Sequence, residues 1–161
     1  MKEQIEYYVL KHPLALFTLL DVPDKIGVIL DVFERISNSG ISLTHILTSP
    51  SARGKSTITV LVPPYLKEDV KGIFNEILET LEWGFLRSFE NVALVSFYGK
   101  KLMETRGVMA GLLNIFVTNK IKIIATSTAM NYINFIIPGE MLDNLKQCLI
   151  DELNMEPSDV P

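Results

Sequence analysis

The residues best placed to do chemistry in this chain would hold a charged small molecule rather than transform one. Val22-Pro23-Asp24-Lys25-Ile26-Gly27 closes an apolar stretch and precedes a segment of helical periodicity. A helix starting there presents unpaired backbone N–H groups and the positive end of its dipole, which suit a carboxylate. Asp24, Lys25, Ile26, Gly27, Val28 and Ile29 are therefore candidate ligand residues. Gly27 lets the backbone come close, and Asp24 offers a negative charge to an ammonium group. Ser42 and Thr48, on the strand expected next, could add hydroxyls. A free amino acid carries both charges. The competing reading is that Asp24 caps the helix and Gly27 only makes the turn.

Other chemistry finds little support. No acid/base pair converges, so an enzyme is not expected. His12 and His45 have no Cys or acidic partners at ligand spacing, so neither a metal site nor a cofactor is expected. Gly54-Lys55-Ser56 resembles the end of a phosphate-binding loop, but the required earlier glycine is Ser49 and a strand, not a helix, is expected to follow. Cys148 lies on an apolar helical face between Leu145 and Leu149 and reads as core. Trp83 and Tyr7-Tyr8 lack interleaved basic residues and read as packing or interface. Glu104, three residues before Gly107, stands where Asp24 stands before Gly27, with Lys120 and Lys122 near it reading as a solvated strand edge.

The elements that must position these residues repeat. Leu14-Ala15-Leu16-Phe17-Thr18 returns 78 positions later as Val92-Ala93-Leu94-Val95-Ser96. Ile29, Val32, Phe33 and Ile36 return 80 positions on as Met109, Leu112, Leu113 and Phe116, and Ile41 and Leu43 as Ile121 and Ile123. Ile58, Val60 and Val62 return 75 positions on as Ile133, Phe135 and Ile137. The offsets change only where loops belong, so two copies of one supersecondary unit are expected.

In the first copy, strand Leu14–Leu20 leads through the Pro/Asp/Gly loop into a helix that Asn38-Ser39-Gly40 stops, Gly40 suiting a left-handed C′ position. Strands Ile41–Thr48 and Ser56–Val62 follow, then a helix over Val70–Leu81 and a closing strand near Trp83–Phe89. In Ser56–Val62, Ile58, Val60 and Val62 alternate with Thr57, Thr59 and Leu61, which predicts a half-buried strand. The second copy runs strand Val92–Tyr98, helix Gly107–Thr118, strands Ile121–Thr128 and Tyr132–Ile137, and helix Glu140–Leu153. Each copy thus reads β-α-β-β-α-β: an α+β fold of two ferredoxin-like modules with antiparallel sheets. Boundaries fall at 13–90 and 91–153, and 154–161 reads as a frayed tail.

Composition narrows the setting. The net charge of −4 and the scattered basic residues argue against nucleic acid. A single cysteine permits no intrachain disulfide, and no signal peptide is visible, so a cytoplasmic protein is expected. The longest apolar runs fall short of the ~20 residues of a membrane span. Each copy is small enough that its core supplies only a few kcal/mol, which favours a homodimer.

Val22-Pro23-Asp24-Lys25-Ile26-Gly27-Val28, with a helix ending Asn38-Ser39-Gly40-Ile41-Ser42-Leu43, resembles the ACT domain, and in particular the tandem pair at the regulatory end of aspartate kinases. Glu90-Asn91-Val92-Ala93-Leu94-Val95-Ser96 and Gly107-Val108-Met109-Ala110 resemble that family's second module. The likeness covers residues 5–153. It departs at Ile26, where the family has Pro, at Ser42, where it has Asn, and at Lys120 and Lys122, where it often has Asn. The resemblance implies that strand 5–10 completes the second module. It also implies an amino-acid-binding regulatory role towards an amino-acid biosynthetic enzyme such as aspartate kinase. In that pattern the second module's helix-to-strand junction closes the site, which adds Lys122 and Ile123. The alternative is a structural or assembly subunit with vestigial sites.

Overall fold

The structure is a computed structural model that describes residues 2–51, 53–81, 83–102 and 104–158. Its elements are β1 (Tyr7–Pro23), α1 (Ile26–Asn38), β2 (His45–Ser51), β3 (Lys55–Val62), α2 (Lys67–Thr80), β4 (Phe85–Tyr98), α3 (Val108–Thr118), β5 (Ala125–Thr128), β6 (Tyr132–Pro138) and α4 (Leu142–Leu153). The fold class is α+β, with antiparallel strand pairing. Among the described residues no helix is long and apolar enough to cross a membrane.

The chain divides into a contiguous unit, Leu14–Glu90, and a split unit, Met1–Pro13 with Asn91–Pro161. The boundary falls inside two strands: β1 and β4 each give one half to each unit. The strand expected near 5–10 and the one expected at 14–20 are therefore one element, as are those expected at 83–89 and 92–98. Nothing in a hydrophobic pattern marks where one long strand changes its partners.

In the contiguous unit the hydrogen-bonding order is β2-β3-β1-β4. Ile58, Val60 and Val62 alternate onto the face that meets Val32 and Ile36 of α1 and Val70, Phe74 and Ile77 of α2. Phe17 meets Phe74 edge-on, with ring centroids 6.3 Å apart. The opposite faces of β1 and β3 are also buried, at Leu14, Leu16, Thr18, Thr59 and Leu61. The half-buried reading of β3 is thus corrected: its polar positions are not solvent positions. Thr18 faces Thr59 across the ladder, and their Oγ1 atoms share a hydrogen bond of 3.1 Å that satisfies both buried hydroxyls.

In the split unit the order is β1-β4-β6-β5. Val95, Phe97, Ile133, Phe135 and Ile137 pack on Leu112, Ile115 and Phe116 of α3 and on Leu145, Cys148 and Leu149 of α4. Residues 41–43 and 121–123, expected as strand, belong instead to helix termination. Gly40 (φ 71°) and Lys120 (φ 54°) take left-handed conformations. Ile41 N–H then reaches back to Ile36 O at 3.3 Å, and Ile121 N–H to Phe116 O at 2.8 Å. These are Schellman closures, and the ladder begins only after them. The tail is not frayed as far as it is described: Met155 packs on the core and Ser158 N–H donates to Tyr8 O at 2.8 Å. Residues 159–161 lie outside the described residues.

Tyr8 is wholly buried, and its hydroxyl has no hydrogen-bond partner among the described residues. Burial first, and Glu156 second, push its phenol from 10.0 up to about 12. The folded state holds the protonated phenol more tightly than the unfolded state does. Its contribution is therefore fully present below pH 10.0 and is lost as pH climbs through about 12. Tyr8→Phe should remove that alkaline loss. At neutral pH it should raise stability by about 1 kcal/mol, because it deletes an unsatisfied buried group. Denaturant melts of both proteins across this pH range check both statements. A clear loss of stability at neutral pH would mean that the hydroxyl has a partner.

Candidate ligand site at the β1–α1 loop

A bulge shapes the end of β1. The pairing with β3 slips between Leu19 and Val22, and Asp21 sits at φ 58°. The chain then turns into α1 through Lys25, the N-cap, whose backbone is extended and whose side chain makes no cap bond. Lys25 N–H donates to Pro23 O at 2.8 Å, while Lys25 O accepts from Val28 N–H at 2.9 Å and from Ile29 N–H at 3.2 Å. Among the described residues, the donors left at the open end of the helix are those of Ile26 and Gly27. The expected Ile26–Val28 cradle therefore narrows by one, because Val28 is already engaged.

Asp24 does not cap the helix. Its carboxylate accepts a 2.6 Å hydrogen bond from Ser56 Oγ, and its N–H donates to Gly54 O at 2.9 Å. The loop is thereby tied to the β2–β3 hairpin. A methyl group at Gly27 would meet nothing within 4 Å, so the turn does not demand glycine there, and the space above it stays open. Ile26 is 82% exposed and Leu30 55%, one turn apart on α1, so an apolar rim borders the helix start.

The other expected residues are spread out. Thr48, exposed on β2, lies opposite Ile58, two residues along β3 from Ser56, or about 7 Å. Ser42 is exposed beyond the far end of the helix; Thr44 N–H donates to Leu61 O, five residues along β3 from Ser56, or about 16 Å. Within one chain Ser42 is thus not brought to Asp24. Lys122 and Ile123 belong to the split unit. Lys122 is exposed, with its N–H 3.1 Å from Met141 Sδ, and Ile123 packs against that unit's core.

Beside the loop an open cleft of about 690 Å³ adds Asp21, Arg53, Thr80 and Leu81, not singled out above, and Lys55 and Trp83, which the sequence placed in other roles; they join Lys25 and Val28 along its walls. Three loops distant in sequence bring them together. The run Gly54-Lys55-Ser56 marks one of these places in the sequence, and β3 starts at Lys55, where a phosphate-binding loop would lead into a helix.

Among the described residues no group of three or more His, Cys, Asp or Glu could hold a metal ion. His12 Nε2 lies 2.9 Å from Asn91 Oδ1, and burial lowers the pKa of half-buried His45. Cys148 Sγ donates to Asn144 Oδ1 at 3.7 Å. Burial, then Glu152 and Asp151, push its thiol up. A thiol reagent should therefore modify the native protein far more slowly than the unfolded chain, and only through opening of α4. Equal rates in buffer and in denaturant would contradict this packing.

No family model matches the sequence, and no curated protein matches it. The fold nevertheless has solved counterparts, among them the regulatory subunits of aspartate kinases. The chain is similar to the regulatory subunit of aspartate kinase from Thermus flavus, at a TM-score of 0.84 and 19% identity, covering 92% of this chain and 97% of that one. The ligand-free regulatory subunit from Thermus thermophilus gives 0.80 at 20% identity, with 92% and 97% covered. Aspartate kinase from Synechocystis gives 0.91 at 17% identity over 98% of this chain, which spans 28% of that larger enzyme.

Proposed function

We propose that this chain is a non-catalytic regulatory module of the aspartate kinase type, built from two ACT-like ferredoxin-like modules, that binds a free amino acid. It would work in the cytoplasm and report ligand occupancy to an aspartate kinase or a related biosynthetic enzyme. The observation that carries this reading is the match over 97% of an aspartate kinase regulatory subunit. The loop supports it: the ligand carboxylate would meet the N–H groups of Ile26 and Gly27, and the ammonium group would meet Asp24. Because Thr44, two residues beyond Ser42, already pairs about 16 Å along β3 from the Asp24 level, any part Ser42 plays has to come from a second copy. The edge strand β2 and exposed Ile26, Leu30 and Ile46 support such a homodimer. Sedimentation at micromolar concentration should find a dimer; a stable monomer would remove this part of the reading.

A second reading is an assembly subunit with a vestigial site. The Ser56–Asp24 hydrogen bond favours it, because that acid already has a partner.

Scanning the twenty amino acids for a shift in melting temperature separates the two. A true ligand at 100 times its Kd should stabilise by about 2.7 kcal/mol. Asp24→Asn keeps an acceptor for Ser56 but removes the charge, and should weaken binding by more than about tenfold. If Lys122 closes the site, free lysine should bind worse than neutral or acidic amino acids. Lysine as the tightest ligand, or binding indifferent to Asp24→Asn, would leave the assembly reading ahead.

A further inference from the structure

The cleft beside the loop has a different chemistry from the loop itself. Its described lining holds three cations, Lys25, Arg53 and Lys55, and one acid, Asp21, in a chain whose net charge is −4. Asp21 meets Lys55 at 3.7 Å, a loose pair that leaves two positive charges in excess among the described lining residues. Lys55 Nζ stands 5.5 Å from the centre of the Trp83 ring, which is 60% exposed. Half-buried Val28 and Leu81 supply an apolar floor.

The backbone holds these groups in place. Arg53 and Gly54 both take left-handed conformations (φ 62° and 69°) at the hairpin tip. On the other wall, Gly84 (φ 127°) brings the chain so close to β1 that a methyl group would lie 3.2 Å from Leu20 O and 3.0 Å from Leu78 Cδ2. That approach lies one residue from Trp83. A left-handed arginine is costly and uncommon, and such outliers gather at ligand clamps.

We propose that this cleft binds a phosphate monoester carried on a flat ring, a mononucleotide in chemical class. Two excess cations match a dianion, whereas a single carboxylate would leave one of them unneutralised. Arg53 offers the forked donor pair that phosphate oxygens accept. The indole face and the floor of Val28 and Leu81 give a ring somewhere to lie. The site goes beyond the amino-acid reading: it shares Lys25 and Val28 with the loop and makes no use of Asp24, Ser42 or Thr48.

Trp83 is the only tryptophan, so its fluorescence reports on this cleft alone. The full chain is titrated with adenosine 5′-monophosphate, with adenosine and with inorganic phosphate. The monophosphate should change the emission saturably, and each of the other two should bind at least about tenfold more weakly. Arg53→Gln and Lys25→Gln should each weaken the monophosphate by about tenfold with unchanged circular dichroism, and added salt should weaken it further. Asp24→Asn should not weaken this titration, whereas it should weaken amino-acid binding, so the failure of either reading is distinct from the failure of the other. No saturable change with the monophosphate, or full affinity in both neutralised variants, overturns the site. Adenosine binding as tightly would reduce it to stacking on an exposed indole. Phosphate binding as tightly would remove the ring.

Discussion

Phe116→Ala is expected to lower the stability of the protein by about 3–5 kcal/mol, read as a fall in denaturant midpoint at unchanged slope. The ring is 1% exposed and its centroid lies 4.5 Å from that of Phe135, which meets Phe97 edge-on at 5.9 Å. Truncation would open a void between α3 and the sheet, walled by Leu112, Ile115 and other side chains already packed in place. Native domains rest on about 5–15 kcal/mol, so this one change consumes a large share. Phe33, on the first repeat's helix, is only half-buried, so Phe33→Ala should cost clearly less. A cost below about 1 kcal/mol for Phe116→Ala would mean that the site collapses around the void.

Gly99→Ala should be nearly as damaging for the opposite reason. Gly99 is buried, and its N–H donates to Asn131 O at 3.0 Å. A methyl group there would run into the carbonyl oxygen of Gln4 and lie 3.1 Å from the Gln4 carbonyl carbon. Backbone cannot rotate aside as a side chain can, so the start of β1 would have to leave β4. That movement would break the 2.8 Å bond from Glu6 N–H to Tyr98 O and the Tyr7–Tyr98 stack, whose centroids are 4.9 Å apart. The expected cost is about 2–4 kcal/mol, at or above the usual range for overpacking. Gly72 is the control: it lies exposed within α2, with nothing within 4 Å of an added methyl group. Gly72→Ala should stabilise by about 0.5–1 kcal/mol. Equal effects at the two glycines would refute the close approach at Gly99.

These two positions also show what a single sequence can reveal. Phe116 was legible because burial obeys the helical period, and its match to a second apolar helix at a fixed offset reinforced the reading. Gly99 was not, since a glycine in a loop looks the same whether its neighbour is solvent or another backbone. Strand cores at Ile58–Val62 and Ile133–Ile137 followed from alternation, yet burial on both faces at Thr59 and Leu61 did not, because cover on a second face leaves no period. Lys120 concealed a left-handed helix end that Gly40 announced. At the site, Asp24 and Gly27 stood out because they are neighbours in the chain. Arg53, Lys55 and Trp83 did not, for their proximity exists only after three loops have met. Basic interleaving was sought beside Trp83 in sequence, and Lys55 supplies it from across space.

The split unit has a consequence for how the chain emerges from the ribosome. Its first strand, within Met1–Pro13, is made first, but its partners begin only at Asn91 and end with α4 at Leu153. At about 5–20 residues per second, that wait lasts on the order of ten seconds or more. The contiguous unit is complete when Glu90 is made and can fold early, anchoring the second half of β1 while Tyr7-Tyr8-Val9-Leu10 trails unpaired. An apolar strand left waiting is a target for chaperones and for neighbouring nascent chains. Slow translation across Asn91–Leu153 should therefore prolong the interval in which this protein is most open to aggregation during its own synthesis.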